Sequence, residues 1–558
     1  MTRFNHPDGR KQLLPHIVDF IADCTPSKVF SEVPVSSTTF ADGFRKITYG
    51  NIANAINGMA SWIEKTLGKS EDFETLVYFG PHDMRYIILL LAAVKTGYKM
   101  LFPSPRFSTV AMIELMKRLD AKNMLLPKTH PPVVAAILEA NPMPHFDIPE
   151  LNELLDVEYP HYPYDKSFEE ARGEPLIALH TSGSTGFPKP VVWTHDWANS
   201  YGEELYLEPP EGFGSMTGLM LGCRLLSMFP VFHAGHLFVG LLMPIYTGTV
   251  TIYPLSGQPP SANMVIEALR STTADVVCMI PPWLEQIAAD PALLDELASS
   301  VDRIMWAGGD VSAEAGDSAS KKLKLFTALG ATEMGLWPLI HEAGPWKSED
   351  WHHIRFHPAM NIQMQHRGGN IYEAVIKRNG EGYEQPIFKL FPELNEYPSG
   401  DLFVAKQGAD SLWRYHGRSD DMLVFASGEK FHPVDVEKLL VRHPDIEEAI
   451  IVETGRPQAA LLIQVSPKIS GSYAEALESV WPVIEKMNDL SPMCAKVSRK
   501  HVLFVNSTKP VMRTAKGTVQ RKATVKLYEE ELDRLYEELQ DVAAPPSAYS
   551  LMTEKKMV

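Results

Sequence analysis

Apolar residues recur along this chain with two alternating spacings, and the alternation predicts its elements. Residues 13–24 carry them at the helical spacing. Residues 47–49 form a short apolar strand segment, followed over 51–67 by apolar positions near the helical period. Residues 76–79 read as a strand, 84–97 as a helix closed by Gly97, 100–102 as a strand and 110–119 as a helix. Four further apolar runs, at 176–179, 250–253, 276–280 and 303–306, are of buried-strand type. Helical patterns at 262–270 and 283–289 separate the later ones. Strands alternating with helices predict a mostly parallel α/β sheet.

Near Gly417 the composition shifts. A smaller α/β unit follows, with apolar segments at 422–425, 434–441, 446–453, 459–465, 473–488 and 501–505. Residues 528–539 form a charged helical stretch, and from 541 to 558 Ala, Pro and Ser dominate, so that tail is expected to be disordered. A length of 558 residues fits more than one domain. The formal charge is −17, from 52 basic and 69 acidic residues. Such a chain repels nucleic acid and anionic membrane, so neither is expected as a partner, and any phosphate site must be a local positive pocket. Cys24, Cys223, Cys278 and Cys494 are scattered without metal-ligand spacing and fit a reducing compartment. The most apolar long stretch, 229–246, is interrupted by His233, His236, two glycines and two prolines, and does not read as a membrane span. The N-terminus has no apolar signal core, and a cytoplasmic location is the expectation.

The run at 176–179 leads into His180-Thr181-Ser182-Gly183-Ser184-Thr185-Gly186-Phe187-Pro188-Lys189, after which Val191-Val192-Trp193 resumes an apolar strand. This is a strand–loop–strand hairpin whose loop concentrates hydroxyls, glycines and a terminal cation. Glycines let backbone N–H groups turn toward an anion, and the hydroxyls add donors. It follows neither the Walker pattern nor GxGxxG. A flexible Gly/Ser surface loop is the alternative reading. The ordered series Thr-Ser-Gly-Ser-Thr-Gly-x-Pro-Lys resembles the phosphate loop of the adenylate-forming superfamily: acyl- and aryl-CoA ligases, luciferases and nonribosomal peptide synthetase adenylation domains.

The resemblance extends in family order from about residue 13 to 525, and implies a large N-terminal adenylating domain of packed α/β subdomains (1–417). A hinge (418–421), a small mobile C-terminal α+β lid (422–540) and the tail complete the implied layout. Phe229-Pro-Val-Phe-His233-Ala-Gly-His236, placed after a helical stretch, resembles the segment whose His lies beside the acyl carboxylate. A buried histidine satisfied in the core is the other reading. Amino-acid-activating relatives usually carry an Asp in this segment, and none stands between Phe229 and Leu241, which implies an acid without an α-amine. Trp306-Ala-Gly308-Gly309-Asp310 and Leu329-Gly330-Ala331-Thr332-Glu333 resemble the nucleotide-binding strand ends. By that resemblance Thr332 touches the α-phosphate and Glu333 holds Mg2+. Leu329 stands where many relatives have a Tyr that stacks on adenine. Trp283, Met334 and Trp337, with His233 and Gly309, are candidates for the acyl pocket, or plain core.

Tyr397-Pro-Ser-Gly400-Asp401 resembles the segment whose Asp binds the ribose hydroxyls, and its residues also suit a β-turn. In Trp413-Arg-Tyr415-His-Gly-Arg418-Ser-Asp420-Asp421 the family implies nucleotide contacts for Tyr415 and Arg418 and the hinge at Asp420, with a surface salt-bridge cluster as the alternative. Gly428 and Lys430, ahead of Pro433, resemble the loop that lines the pantetheine channel; an ordinary helix start is the plainer reading. Arg513-Thr-Ala-Lys516-Gly-Thr518-Val-Gln-Arg521 resembles the motif of the adenylation lysine, except that gapless alignment sets Thr518 at the lysine position. Lys516 is taken as the catalytic lysine, against a basic surface loop.

The implied reaction consumes ATP with Mg2+ to convert a small carboxylic acid to its acyl-AMP. A phosphopantetheine thiol, on a carrier protein or on CoA, then takes the acyl group. Lys-Pro190 and Lys-Gly-Thr-Val-Gln-Arg look most like the adenylation domains of fungal synthetase-like proteins of the carboxylic acid reductase type. A free-standing acyl- or aryl-CoA ligase, and a non-catalytic nucleotide- or acyl-binding relative, are the alternatives.

Overall fold

The computed structural model describes residues 6–182, 188–409, 411–421, 423–424, 430–431, 433–452, 459–466, 472–491, 493–506, 508–513 and 519–543. Contacts divide them into two compact units that meet in sequence between His416 and Gly417. No helix among the described residues is long and apolar enough to cross a membrane.

The first unit is built on three sheets. A six-stranded sheet runs in the order His145–Asp147, Ala121–Leu126, Thr75–Tyr78, Lys99–Leu101, Pro175–Ser182 and Pro188–Thr194. All neighbours are parallel except the last two strands, which form a hairpin. Its strands are short apolar runs because helices cover both faces. The helix Arg85–Lys95 is buried at every residue, so its apolar positions run all the way round. The Lys95 ammonium, with no exposed side-chain surface, is held by Asp19 at 2.8 Å, Asn57 at 3.1 Å and the Tyr162 carbonyl at 3.2 Å. The helix Tyr49–Leu67 starts at a capping box in which Thr48 and Asn51 exchange side-chain to backbone hydrogen bonds.

A seven-stranded sheet runs Lys324–Thr327, Arg303–Trp306, Val276–Met279, Arg224–Ser227, Val250–Ile252, Val29–Pro34 and Phe44–Thr48, parallel up to its final antiparallel pair. A mostly parallel architecture is thus found in two sheets. The third is antiparallel: Ile362–Gly368, Ile371–Lys377, Glu396–Ala405, Trp413–Arg418, His353–Phe356, Leu339–Glu342 and Phe213–Ser215. Its edge strand Ile362–Gly368 has no fully buried residue, so it lacks the apolar run that marks the other strands. The expected helix ahead of Phe229 is also corrected. The stretch is the strand Arg224–Ser227, whose four residues are too few to show a period.

The second unit packs helices Val434–Val441 and Tyr473–Leu490 on the sheet Ile446–Val452, Ala460–Val465 and Val502–Phe504, around Leu440, Ile451, Leu461 and Val480. The charged stretch is the helix Glu529–Ala543. Residues 544–558, most of the expected tail, lie outside the described residues.

One buried carboxyl makes the first unit sensitive to pH. Glu204, at the end of the helix His195–Glu204, is 7% exposed and accepts one hydrogen bond, from Thr217 Oγ1 at 2.8 Å. Burial pushes its pKa up from 4.5 to about 8, against the weaker pull of that hydrogen bond. Between those values the folded chain keeps a proton that the unfolded chain releases, so stability falls as pH rises through the window and levels off above it. Replacement Glu204→Gln is expected to flatten this slope and to stabilise the chain at pH 8 by roughly 2–4 kcal/mol. Urea unfolding at pH 5 and pH 8 checks it; an unchanged slope in the variant would refute the assignment.

Candidate active site

The hairpin Pro175–Ser182/Pro188–Thr194 is paired up to Thr181 opposite Lys189 and Ser182 opposite Pro188. Its loop, Gly183 to Phe187, lies outside the described residues, as do the phosphate-binding expectations at Gly183, Ser184, Thr185 and Gly186. What is described is the base. Thr181 is half-buried, and the exposed Lys189 ammonium makes no hydrogen bond or ion pair with any described residue. Just before the loop His180 is buried, with Nε2 3.2 Å from both the Ser104 N–H and the Phe102 carbonyl, and burial lowers its pKa to about 4, leaving it neutral.

The strand that leaves the loop reaches the acidic segment directly. Trp193 Nε1 donates to the Thr332 carbonyl at 2.7 Å, and Trp197 Nε1 donates to the Glu333 carbonyl at 3.1 Å. The two indoles stack, with centroids 3.9 Å apart and planes 17° from parallel. Thr332 and Glu333 sit at the tip of a minimal hairpin in which Gly330 pairs with Leu336 and Ala331 with Gly335. Two glycines permit it. A Cβ on Gly330 would lie 2.5 Å from the Gly335 carbonyl oxygen, and Gly335 has φ +73°. Thr332 is buried and Glu333 half-buried. The Glu333 carboxylate makes no hydrogen bond or ion pair with any described residue. Among the described residues no three His, Cys, Asp or Glu stand close enough to hold a metal ion alone. An uncommitted carboxylate at a hairpin tip fits Mg2+ held jointly with phosphate oxygens, as that ion commonly is.

Leu329 and Tyr415 both pack against the core of Met334, Trp337 and Phe403, Tyr415 with its ring 5.8 Å from that of Phe403. Met334 and Trp337 are each 3% exposed, so most of their surface is spent on that core. Gly308 has φ +91°, a conformation that glycine supplies freely. Above Gly309 a Cβ would meet only Pro281 at 3.6 Å, at the start of the helix Pro281–Ala288 that carries Trp283.

His233 and His236 divide the two readings of their segment. His236 is fully buried, 3.2 Å from the Tyr253 hydroxyl, and burial drives its pKa well down. It is the satisfied core histidine. His233 is half-buried at the N-cap of Ala234–Leu237, where its Nδ1 accepts the Gly235 N–H at 3.0 Å. That bond sets the tautomer of the neutral ring, with the proton on Nε2.

Asp401 is 8% exposed, in the strand Glu396–Ala405. The alternative reading of Pro398-Ser-Gly-Asp as a β-turn gives way to a bulged strand. The strand runs straight through, with a bulge opposite Glu373 to Val375 and Gly400 at φ +74°. Ser399 Oγ donates to the Ala374 carbonyl at 2.8 Å and accepts the Asp401 N–H at 3.0 Å, holding the bulge open.

In the second unit Arg418 closes the strand Trp413–Arg418, and Ser419–Asp421 is one 3-10 turn. The side chains of Asp420 and Lys430 and the residues Gly428, Lys516 and Thr518 lie outside the described residues. The base of the Lys516 loop is described. Arg513 and Val519 form an antiparallel bridge, and Arg513 pairs with Glu448. Arg521 is buried against Glu437, with bonds of 2.7 and 2.5 Å, and also donates to the Ile451 carbonyl at 2.8 Å.

The AMP-binding enzyme family model matches residues 28–356, and the AMP-binding enzyme C-terminal domain model matches 420–540. An isocyanide synthase–NRPS hybrid, crmA, of Aspergillus fumigatus is 32% identical over 96% of this chain and 34% of its own length. A carboxylic acid reductase of Neurospora crassa is 30% identical over 96% of this chain and 51% of its own length. The chain thus spans a third to a half of these curated relatives. Among solved structures, a benzoate CoA ligase from Burkholderia xenovorans superposes with a TM-score of 0.67 at 18% identity, covering 91% of this chain and 99% of that one. An anthranilate CoA ligase in complex with anthranoyl-AMP gives 0.68 at 16% identity, covering 95% and 99%.

Trp193 and Trp197 were not legible as site residues in the sequence, where an aromatic in an apolar strand reads as core. Each Trp→Phe replacement is expected to strand a buried carbonyl and to cost about 1–3 kcal/mol. The double variant should lose less than the sum, because both donors hold one hairpin. Denaturant midpoints of the three variants check this; wild-type midpoints in both single variants would show that the bonds carry no weight.

Proposed function

The chain belongs to the AMP-binding enzyme family, and from that premise we propose that it activates a carboxylic acid, one without an α-amino group, as its acyl adenylate. The observation that carries this is the direct link between the phosphate-loop strand and the Thr332–Glu333 tip through Trp193, with the Lys189 and Glu333 charges both uncommitted. A substrate carboxylate oxygen attacks the α-phosphorus of ATP, the bond to the β-phosphate breaks, and pyrophosphate leaves. Such chemistry depends on positioning and charge neutralisation. Thr181, Ser182 and Lys189, with the loop between them, hold the outer phosphates. Thr332 contacts the α-phosphate, Asp401 the ribose, and Leu329 with Tyr415 packs on the base. Glu333 would hold Mg2+, which would supply neutralising charge to the phosphates. His233, its Nε2 carrying the proton, stands beside the acyl carboxylate.

Lys516 is assigned as the residue that bridges carboxylate and α-phosphate. It is three residues from each end of the Arg513–Val519 bridge, whereas Thr518 adjoins that bridge. A chain closed there can carry position 516 farther from the base than 518. In the second half-reaction the lid turns about Asp420 and a pantetheine thiol passes Gly428 and Lys430. The thiol sulfur takes the acyl carbon, AMP leaves, and the thiol proton goes to solvent. The likeness to multidomain relatives, one called a carboxylic acid reductase, supports a carrier-bound thiol.

Exchange of labelled pyrophosphate into ATP, dependent on added aryl, α-keto or aliphatic acids, tests the reading. Exchange with at least one acid is expected, and none across the panel favours a non-catalytic binder. Glu333→Gln and Lys516→Ala should each lower exchange by about two orders of magnitude or more, in the range of lost electrostatic stabilisation. Thr518→Ala should leave it within a few-fold; the reverse order would move the lysine's role to position 518. Transfer to a pantetheinylated carrier but not to CoA supports the carrier assignment, and transfer to CoA alone overturns it.

A further inference from the structure

The first unit also holds a cavity of about 390 Å3 that none of this chemistry uses. It is lined by the edge strand Lys324–Thr327 of the seven-stranded sheet and by strands Leu339–Glu342 and His353–Phe356 of the antiparallel one. One wall is aromatic: the Phe326 and Trp346 rings lie 4.6 Å apart, edge to face. Three buried nitrogens on this lining have no hydrogen-bond partner, Trp346 Nε1, Arg303 Nε and His353 Nδ1, while Arg303 Nη1 donates to the Leu219 carbonyl. The closest approach of Arg303 to the Asp302 carboxylate is 3.7 Å, too long for a hydrogen bond.

The lining carboxylates are already shared. Asp302 faces Lys324 at 3.0 Å as well as Arg303, Glu342 faces Lys347 at 2.6 Å and Arg355 at 3.9 Å, and Asp350 pairs with Lys406 and lies 3.4 Å from His353. The lining cations Arg303, Lys324, Lys347 and Arg355 therefore outnumber the lining carboxylates Asp302, Glu342 and Asp350. Leaving such donors unmet and out of reach of water is costly, and an incoming acceptor removes the cost. A carboxylate offers two oxygens to a guanidinium and an indole N–H. A planar ring behind it would cover Phe326 and Trp346 in the offset or edge-on arrangement that aromatics favour. The volume lies within the range of small-molecule pockets. A bare phosphate would meet the donors and leave the aromatic wall uncovered.

We propose that this cavity is a second ligand site, separate from the adenylation site, for a small aromatic carboxylate. Titration calorimetry of the full chain with salicylate, with benzoate and indole-3-carboxylate as further probes, tests it. The expected result is an isotherm that weakens at least about tenfold in Arg303→Met and in Trp346→Phe and is unchanged in His233→Ala. Should Arg303→Met fail to fold, Trp346→Phe, which keeps a ring and removes only the indole donor edge, carries the test, with quenching of Trp346 fluorescence in the wild type as a second readout. The proposal fails if none of the three acids binds at millimolar concentration, or if the variants bind as the wild type does. It fails equally if binding disappears in His233→Ala, which would place the acid in the acyl pocket, or if inorganic phosphate binds as tightly as salicylate.

Discussion

Two indole N–H bonds hold the acidic hairpin against the first sheet, and the geometry of the candidate site depends on them. Trp193 belongs to the strand that leaves the hydroxyl-rich loop, and Trp197 to the helix that follows. Their acceptors are the carbonyls of Thr332 and Glu333, which hang from the far edge of a different sheet. A third segment leans on the same pair. Phe238, in the helical run that begins at His233, lies 5.7 Å from the Trp193 ring and 6.1 Å from that of Trp197. The loop base, the Thr332–Glu333 tip and the segment that follows His233 are thus referenced to one stacked pair. Because the bonds are buried, neither water nor a neighbouring side chain can replace them cheaply.

Much of the fold was legible because parallel strands buried on both faces must be short apolar runs, and covering helices must show their own period. The same logic hides an antiparallel sheet with one wet face, which is why the region from Leu339 to Arg418 carried motifs but few predicted elements. Pro398-Ser-Gly-Asp misled in a second way. Turn residues supply an unusual backbone conformation, and here that conformation serves a bulge inside a strand. Asp401 is the last residue of the bulge, ahead of the paired Leu402, so its position in the motif was readable and its backbone was not.

Within the site, legibility followed the family motifs. Glu333 and Gly330 were singled out by the likeness of Leu329-Gly330-Ala331-Thr332-Glu333 to nucleotide-binding strand ends, whereas the uncommitted carboxylate and the close backbone approach at Gly330 belong to the packed chain. His233 could not be separated from His236 by residue type alone. Only burial distinguishes them, and burial is a property of the packed chain. Trp193 and Trp197 were invisible for the opposite reason: a core tryptophan and a tryptophan whose N–H positions a backbone carbonyl look alike until the acceptor is known.

The foot of the Lys516 loop gives the second unit a property of its own. The bridge between Arg513 and Val519 is made by backbone, and the flanking arginines are anchored to Glu448 and Glu437, outside the loop. That fastening is built from the backbone at positions 513 and 519 and from side chains outside residues 514–518. A socket fixed by its foot sets no identity for what it presents, so among duplicated copies of such a chain a lysine could be traded for an inert residue, or recovered one position away, while the foot that presents it stays as it is.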